Sequence, residues 1–166
     1  MRVLGIDPGT IRLGYGIVDG EEQVCMVCCG VLNLSSKKPI ETRLYSLYSE
    51  LNRIIAEHQP DEVAVEEPFV GRNIRSALAI GRAQAVAMLA ATNQGLPVYH
   101  YSPAEIKQQV TSYGGSDKQQ VQQMVMIQLG LPCPPQPSDA ADGLAVAICH
   151  LQQRRLEINI SSKLVG

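Results

Sequence analysis

The 166-residue chain predicts an α/β domain: a five-stranded mixed sheet flanked by helices. Three β-like runs open it, at 2–6, 13–19 and 23–33, and Asp19-Gly20 between the last two is a hairpin-type turn signal. Two short apolar runs, 62–66 and 97–101, then alternate with helical periodicity, the order of parallel strands added to an antiparallel unit. The length suits one domain, and a chain of this size buries roughly 68–70% of its unfolded surface without needing disulfides.

The elements follow in order. Pro39 stands where a helix can begin, and Ile40, Leu44, Leu47, Leu51 and Ile54 recur at spacings of four and three, one helical face ending near His58. Pro60-Asp61 breaks it before the strand "EVAVE". A helix over about 73–94 is unusual, because between Ala77 and Ala91 only Arg82 and Gln84 are strongly polar. A helix packed on one side shows a continuous polar face, so this one is expected to be covered twice, by the sheet and by something else. Gly95 stops it. Ser102-Pro103-Ala104-Glu105 is a capping box with Pro at the first helical position. "TSYGGSDK" reads as a flexible loop, a further helix runs to Gly130, and "LPCPPQP" is an extended link. Ser138 can then cap a last helix through about 155. A single domain is thus expected over 1–155, with a tail at 156–166.

Trp is absent and Phe69 is the only phenylalanine, so the core must be aliphatic. "MRVLGIDPG" has no apolar stretch long enough for a signal peptide and no later segment is expected to span a membrane, so the expected compartment is the cytoplasm. Five cysteines, an odd number, are expected as reduced thiols. "CMVCC" has zinc-like spacing, but strand alternation would send Cys25 and Cys28 to opposite faces. The formal net charge of −2 hides an asymmetry. Residues 68–138 hold Arg72, Arg75, Arg82, Lys107 and Lys118 against Glu105 and Asp117, a local +3 that leaves −5 elsewhere. A polyanion responds to such a local surface rather than to the sum.

Carboxylates occur in apolar settings at few places. Asp7 ends the first strand, in "GIDPGT", and Glu66 and Glu67 end "VAV". If these strands are parallel neighbours, Asp7 and Glu66 emerge side by side at their carboxyl ends, where ligand sites of open α/β sheets lie. Asp139 and Asp142, three apart in "SDAADGLAVAICH", share a helix face. Each has a modest alternative, a turn cap or a favoured helix start. Together they would repel, at a cost that divalent cations remove; no lysine or arginine lies close in sequence to neutralise them, although folding could bring Arg12 there. Carboxylate oxygens suit Mg2+ or Mn2+, and two such ions can activate water and stabilise the leaving oxygen in phosphodiester cleavage.

The ordered set "LGIDPGT-x5-GYGIV", "VAVEEPFVGRN" with "SALAIGRAQA", "KQQVTSYGGSDKQQVQQMV" and "SDAADGLAVAICH" resembles the RuvC-type Holliday junction endonucleases, the crossover junction endodeoxyribonucleases. The resemblance covers the chain to about residue 152. It implies a ribonuclease H-like fold and a homodimer that nicks two opposed strands of a four-way DNA junction symmetrically in recombination and repair. It also implies Mg2+, with Mn2+ able to substitute, at two ions per site, and a branch-migration motor complex as a candidate partner. By the motif match, Asp7, Glu66, Asp139 and Asp142 are the metal-holding catalytic acids, with Glu66 favoured over Glu67. Lys107 and Lys118 match junction-phosphate contacts, Phe69 the aromatic that meets an unstacked base, and Arg72 and Arg75 join them as DNA-binding candidates. The apolar helix at 77–91 matches the family's dimer helix.

Rival readings are a ribonuclease H-like nuclease acting on RNA, an actin-like phosphate-binding domain suggested by "GID-x-GT", and a non-catalytic DNA-binding module. The actin-like fold needs two such domains, and DNA affinity alone does not call for four converging acids. Histidines 58, 100 and 150 are expected to be structural.

Overall fold

The computed structural model describes residues 1–20, 23–67 and 74–164. Strands β1 (Arg2–Asp7), β2 (Arg12–Gly20) and β3 (Val24–Asn33) are followed by α1 (Ile40–His58), β4 (Glu62–Glu66), α2 (Ile74–Asn93) and β5 (Val98–Tyr101). Helices α3 (Pro103–Thr111), α4 (Lys118–Gln128) and α5 (Ser138–Leu164) complete the order. The sheet runs β3-β2-β1-β4-β5, antiparallel across β1–β3 and parallel from β1 through β4 to β5, as expected for a mixed five-stranded sheet.

Strand alternation divides the core into two layers. Leu4, Ile6, Ile17, Val63 and Val65 pack under α1 and α2, while Val3, Val18 and Ala64 pack under α5 with α3 and α4 behind it. Helix α5 crosses β1 and β2 closely, its backbone meeting the strands at glycine positions. A methyl group on Gly5 would strike the backbone of Gly143 and Ala147, and one on Gly14 would strike the Asp139 carbonyl. Glycine is needed at both positions because the helix backbone takes up the space a Cβ would fill.

The expected capping box is present: Ser102 Oγ accepts from Glu105 N and the Glu105 carboxylate accepts from Ser102 N at 2.7 Å. Helix α4 has a second one, built by Asp117 and Gln120. The "TSYGGSDK" segment, expected as a flexible loop, is organised by hydrogen bonds: Thr111 Oγ1 to Ser116 Oγ at 2.6 Å, and Ser116 Oγ to the Tyr113 carbonyl at 2.8 Å. Helix α5 runs to Leu164 rather than about 155. The reason is legible: no Gly or Pro interrupts 144–164, so nothing in the covalent chain stops the helix. The tail expected from 156 is therefore helical as far as Leu164.

The alternation argument for the cysteines fails. The β2–β3 register shifts between Ile17 and Val18, so Cys28 opposes Ile17 and Cys25 opposes Asp19, positions on one face. Their thiols have different neighbours all the same: Cys28 Sγ lies 3.4 Å from His58 Nε2, and Cys25 Sγ 3.6 Å from the Asp19 carbonyl. His150 is fully buried, as expected of a structural residue. Its Nδ1 is hydrogen-bonded to the Tyr101 hydroxyl at 2.7 Å and its Nε2 to Glu62 at 2.6 Å, with Arg154 on the other Glu62 oxygen at 3.1 Å. Burial draws the imidazole below its ordinary pKa against the pull of Glu62.

Helix α2 buries Ala83, Ala87, Ala90 and Ala91 against the sheet layer and α1. Its other side leaves Ile74, Leu78, Met88 and Leu89 exposed. By length and composition it could cross a membrane, but its alanine stripe is already committed to the protein core.

Candidate active site

The site lies at the carboxyl ends of the two central strands. Parallel pairing of β1 with β4 runs from Val3–Glu62 to Ile6–Val65, so Asp7 and Glu66 leave the sheet as neighbours. Asp7 shares its face with Val3 and Gly5, and Glu66 with Glu62 and Ala64, which is the α5 side. Glu67, one residue on, is exposed, and its amide donates to the Tyr101 carbonyl. Alternation along β4 thus separates the two glutamates that the sequence left adjacent.

Helix α5 brings the other two acids. Its glycine-mediated seat on β1 and β2 sets its first turns over the end of β1, and oxygens of Asp7, Asp139 and Asp142 lie within 4.8 Å of one another. Glu66 stands at the edge of this cluster, lining with Asp7 and Asp142 a cleft of about 290 Å³. Lys107 and Lys118 line the same cleft, and Pro103, Ile106, Val121 and Ala145 form its apolar wall.

The electrostatics follow from crowding in a half-dry place. Burial, then Asp142 and Asp139 against the opposing pull of Lys118, pushes the Asp7 carboxyl up to about 7. Burial, then Asp7 and Asp142 against Lys107 and Lys118, pushes Glu66 up to about 8. Asp142 is also raised by burial, although Lys118 Nζ donates to it at 2.6 Å. Burial pulls the Lys118 ammonium down, but its bond to Asp142 and the charges of Asp142, Asp139 and Asp7 carry it above its ordinary value. Arg12 from β2 reaches Asp139 at 2.7 Å. Two cations therefore already lie against the acids, and the Asp7 and Glu66 carboxyls are still held well above their ordinary values. Hard oxygen donors with raised proton affinity, three of them within reach of a single ion, fit a divalent cation such as Mg2+.

The Lys118–Asp142 pair was not legible from the sequence, since the partners are 24 residues apart. One local signal exists: a lysine in the first turn of a helix opposes the helix dipole and so asks for a negative neighbour. The Arg12–Asp139 pair joins β2 to α5 and needs the tertiary fold. Arg75 is exposed on the first turn of α2 and does not line the cleft. Phe69 and Arg72 lie outside the described residues.

A mixed sheet in this order, with carboxylates from its central strands and a crossing helix gathered at one end, defines a nuclease of the ribonuclease H-like fold. The model of the family "Crossover junction endodeoxyribonuclease RuvC" matches residues 3–150. The chain belongs to the RuvC family. A crossover junction endodeoxyribonuclease RuvC of Dehalococcoides mccartyi is 54% identical over 155 residues, covering 93% of each chain. One from Chloroflexus aggregans is 50% identical over 151 residues, 90% of this chain and 92% of the relative. The solved structure of Thermus thermophilus RuvC in complex with a Holliday junction substrate superposes with a TM-score of 0.89 at 34% identity, covering 95% of this chain and 96% of that one. The RNA-nuclease and actin-like alternatives gain no support from these relatives.

Proposed function

We propose that the chain resolves four-way DNA junctions in recombination and repair, as a cytoplasmic homodimer that nicks two opposed strands symmetrically. The observation that carries this is the meeting of Asp7, Asp139 and Asp142 within 4.8 Å, with Asp7 and Asp142 lining a cleft that Lys107 and Lys118 also line. Asp7, Glu66, Asp139 and Asp142 are the catalytic acids and would hold the divalent cations, two Mg2+ or Mn2+ per site. When bound, these ions would supply Lewis-acid activation of water and charge stabilisation at the scissile phosphate.

The chain's own residues do the rest. Lys107 and Lys118 act as point charges that position the phosphate backbone without reading bases. Arg75, with Phe69 and Arg72, extends that contact along the entry to α2. The apolar wall thins the water in the cleft, which strengthens every charge interaction inside it. Lys118 and Arg12 hold Asp142 and Asp139 in place by ion pairs.

Homodimerisation is supported by the exposed side of α2. Ile74, Leu78 and Leu89 stand more than half exposed on a helix with little polar character, and Tyr45 of α1 continues the patch beside Leu89. A two-fold dimer through this face suits a junction with approximate two-fold symmetry and doubles the basic surface. A branch-migration motor complex remains a proposed partner on the strength of the family alone.

The test is incubation of the protein with a labelled four-way junction, a linear duplex and an RNA–DNA hybrid, with and without Mg2+. Paired nicks in the junction alone, only with the metal, are expected, and Asp7→Asn should bind the junction without cutting it. Equal cleavage of the hybrid, or normal cleavage by Asp7→Asn, would overturn the reading.

A further inference from the structure

The chain contains seven aromatic residues of the Phe and Tyr types, and Tyr113 is one of two tyrosines that are mostly exposed, at 66%. It stands in the turn between α3 and α4. Those two helices supply Lys107 and Lys118 to the cleft, so the turn lies at its rim. The position a Gly114 side chain would take is 3.5 Å from the Ala104 carbonyl, beside cleft-lining Pro103, which folds the turn back against the start of α3.

The turn is held rigid without using the phenol. Tyr113 N donates to Thr111 Oγ1 at 3.2 Å, and its carbonyl accepts from Ser116 Oγ at 2.8 Å. Ser116 itself is buried, and Gln108 Oε1 accepts from Gly114 N at 3.0 Å. The Tyr113 hydroxyl has no hydrogen-bond partner among the described residues. The ring instead lies against Gly115: a methyl there would come within 2.7–2.9 Å of Cζ, Oη and Cε1. One side of the ring is thus seated on backbone, in space that only glycine leaves free, and the rest faces solvent in the turn that connects the helices bearing Lys107 and Lys118. An aromatic held this way loses little freedom on contact, and stacking tolerates any base because every base has a π-face.

We propose that Tyr113 is a second base-stacking residue of this resolvase, receiving an unpaired or splayed nucleobase of the junction at the rim of the cleft. The proposal rests on the junction-resolving reading above.

The experiment uses the full chain in chelator, which stops cleavage, with a four-way junction carrying 5-iodouracil at positions flanking the crossover. Wild type should cross-link through the peptide containing Tyr113. Tyr113→Ala should bind the junction about 5- to 150-fold more weakly, the range for loss of one stacked base. Tyr113→Phe should stay within about twofold of wild type, because stacking needs the ring and not the hydroxyl. The salt dependence of binding should be unchanged in both, since no phosphate contact is lost. Gly115→Ala, which displaces the ring without removing it, should weaken binding in the same sense as Tyr113→Ala. Full affinity in Tyr113→Ala with no cross-link at that peptide would overturn the proposal while leaving junction resolution intact. Failure of wild type to prefer the junction over a duplex would overturn the underlying reading instead.

Discussion

Replacing Asp7 with Asn should stabilise the cation-free protein above neutral pH while abolishing its cleavage. The folded state raises the Asp7 carboxyl from 3.8 to about 7, so between those values the folded chain binds more protons than the unfolded one. Stability then falls as pH rises, with the loss beginning near 4 and complete above about 7. Each tenfold change in proton affinity corresponds to 1.36 kcal/mol, which sets a ceiling of about 4 kcal/mol on the cost of ionising Asp7 in place. Lys118 and the water that enters the cleft screen part of this, leaving roughly 1–2 kcal/mol. Asparagine has the shape of the protonated acid and never ionises. The variant should therefore melt about 2–8 °C higher than wild type at pH 8 in chelator, with the gain shrinking at pH 5 and gone below pH 4. Mg2+ should raise the melting temperature of wild type and do little for the variant, because ligand binding stabilises only the state that binds. Thermal melts by circular dichroism across that pH range are sufficient. An unchanged or lower melting temperature for Asp7→Asn at pH 8, or a gain that persists on acidification, would refute the crowded-carboxylate argument.

Other expectations test separate parts of the molecule. Lys107→Ala should weaken junction binding and reduce the slope of log K against log salt by about 1, the signature of one lost phosphate contact; fluorescence titrations at several salt concentrations measure it. Leu89→Glu on the exposed side of α2 should give a folded monomer by sedimentation at micromolar concentration, with junction cleavage lost as paired nicking fails. His150→Ala leaves the Tyr101 hydroxyl and one Glu62 oxygen without their buried partner and should cost about 3 kcal/mol, read as a lower denaturation midpoint.

The parts of this fold that could be read from the chain are those written in local periodicity. Leu44, Leu47, Leu51 and Ile54 mark α1, and Ser102 with Glu105 marks the start of α3, because spacing and capping are properties of neighbours in sequence. Parallel pairing of β1 with β4 is enough to bring Asp7 and Glu66 together, since strand ends align by register. The pairing of Arg12 with Asp139 and of Lys118 with Asp142 depends on how α5 and α4 dock, which no local rule specifies. The same limit applies to Cys25 and Cys28. Their alternation was disturbed by one extra residue in β3, and a bulge leaves no mark in composition. Periodicity alone ends α5 early because its apolar pattern fades after Leu151, whereas the helix continues for want of any residue that breaks it.

The bare contact between α5 and the strands beneath it bears on how finely the acids can be spaced. Where a helix rests on a cushion of leucines, its height changes whenever one of them changes rotamer. Here peptide atoms touch peptide atoms at Gly5 and Gly14. At these two places the gap between Asp7 and the two helical aspartates is set by backbone against backbone rather than by a rotamer, like a gauge cut in metal rather than one packed with felt.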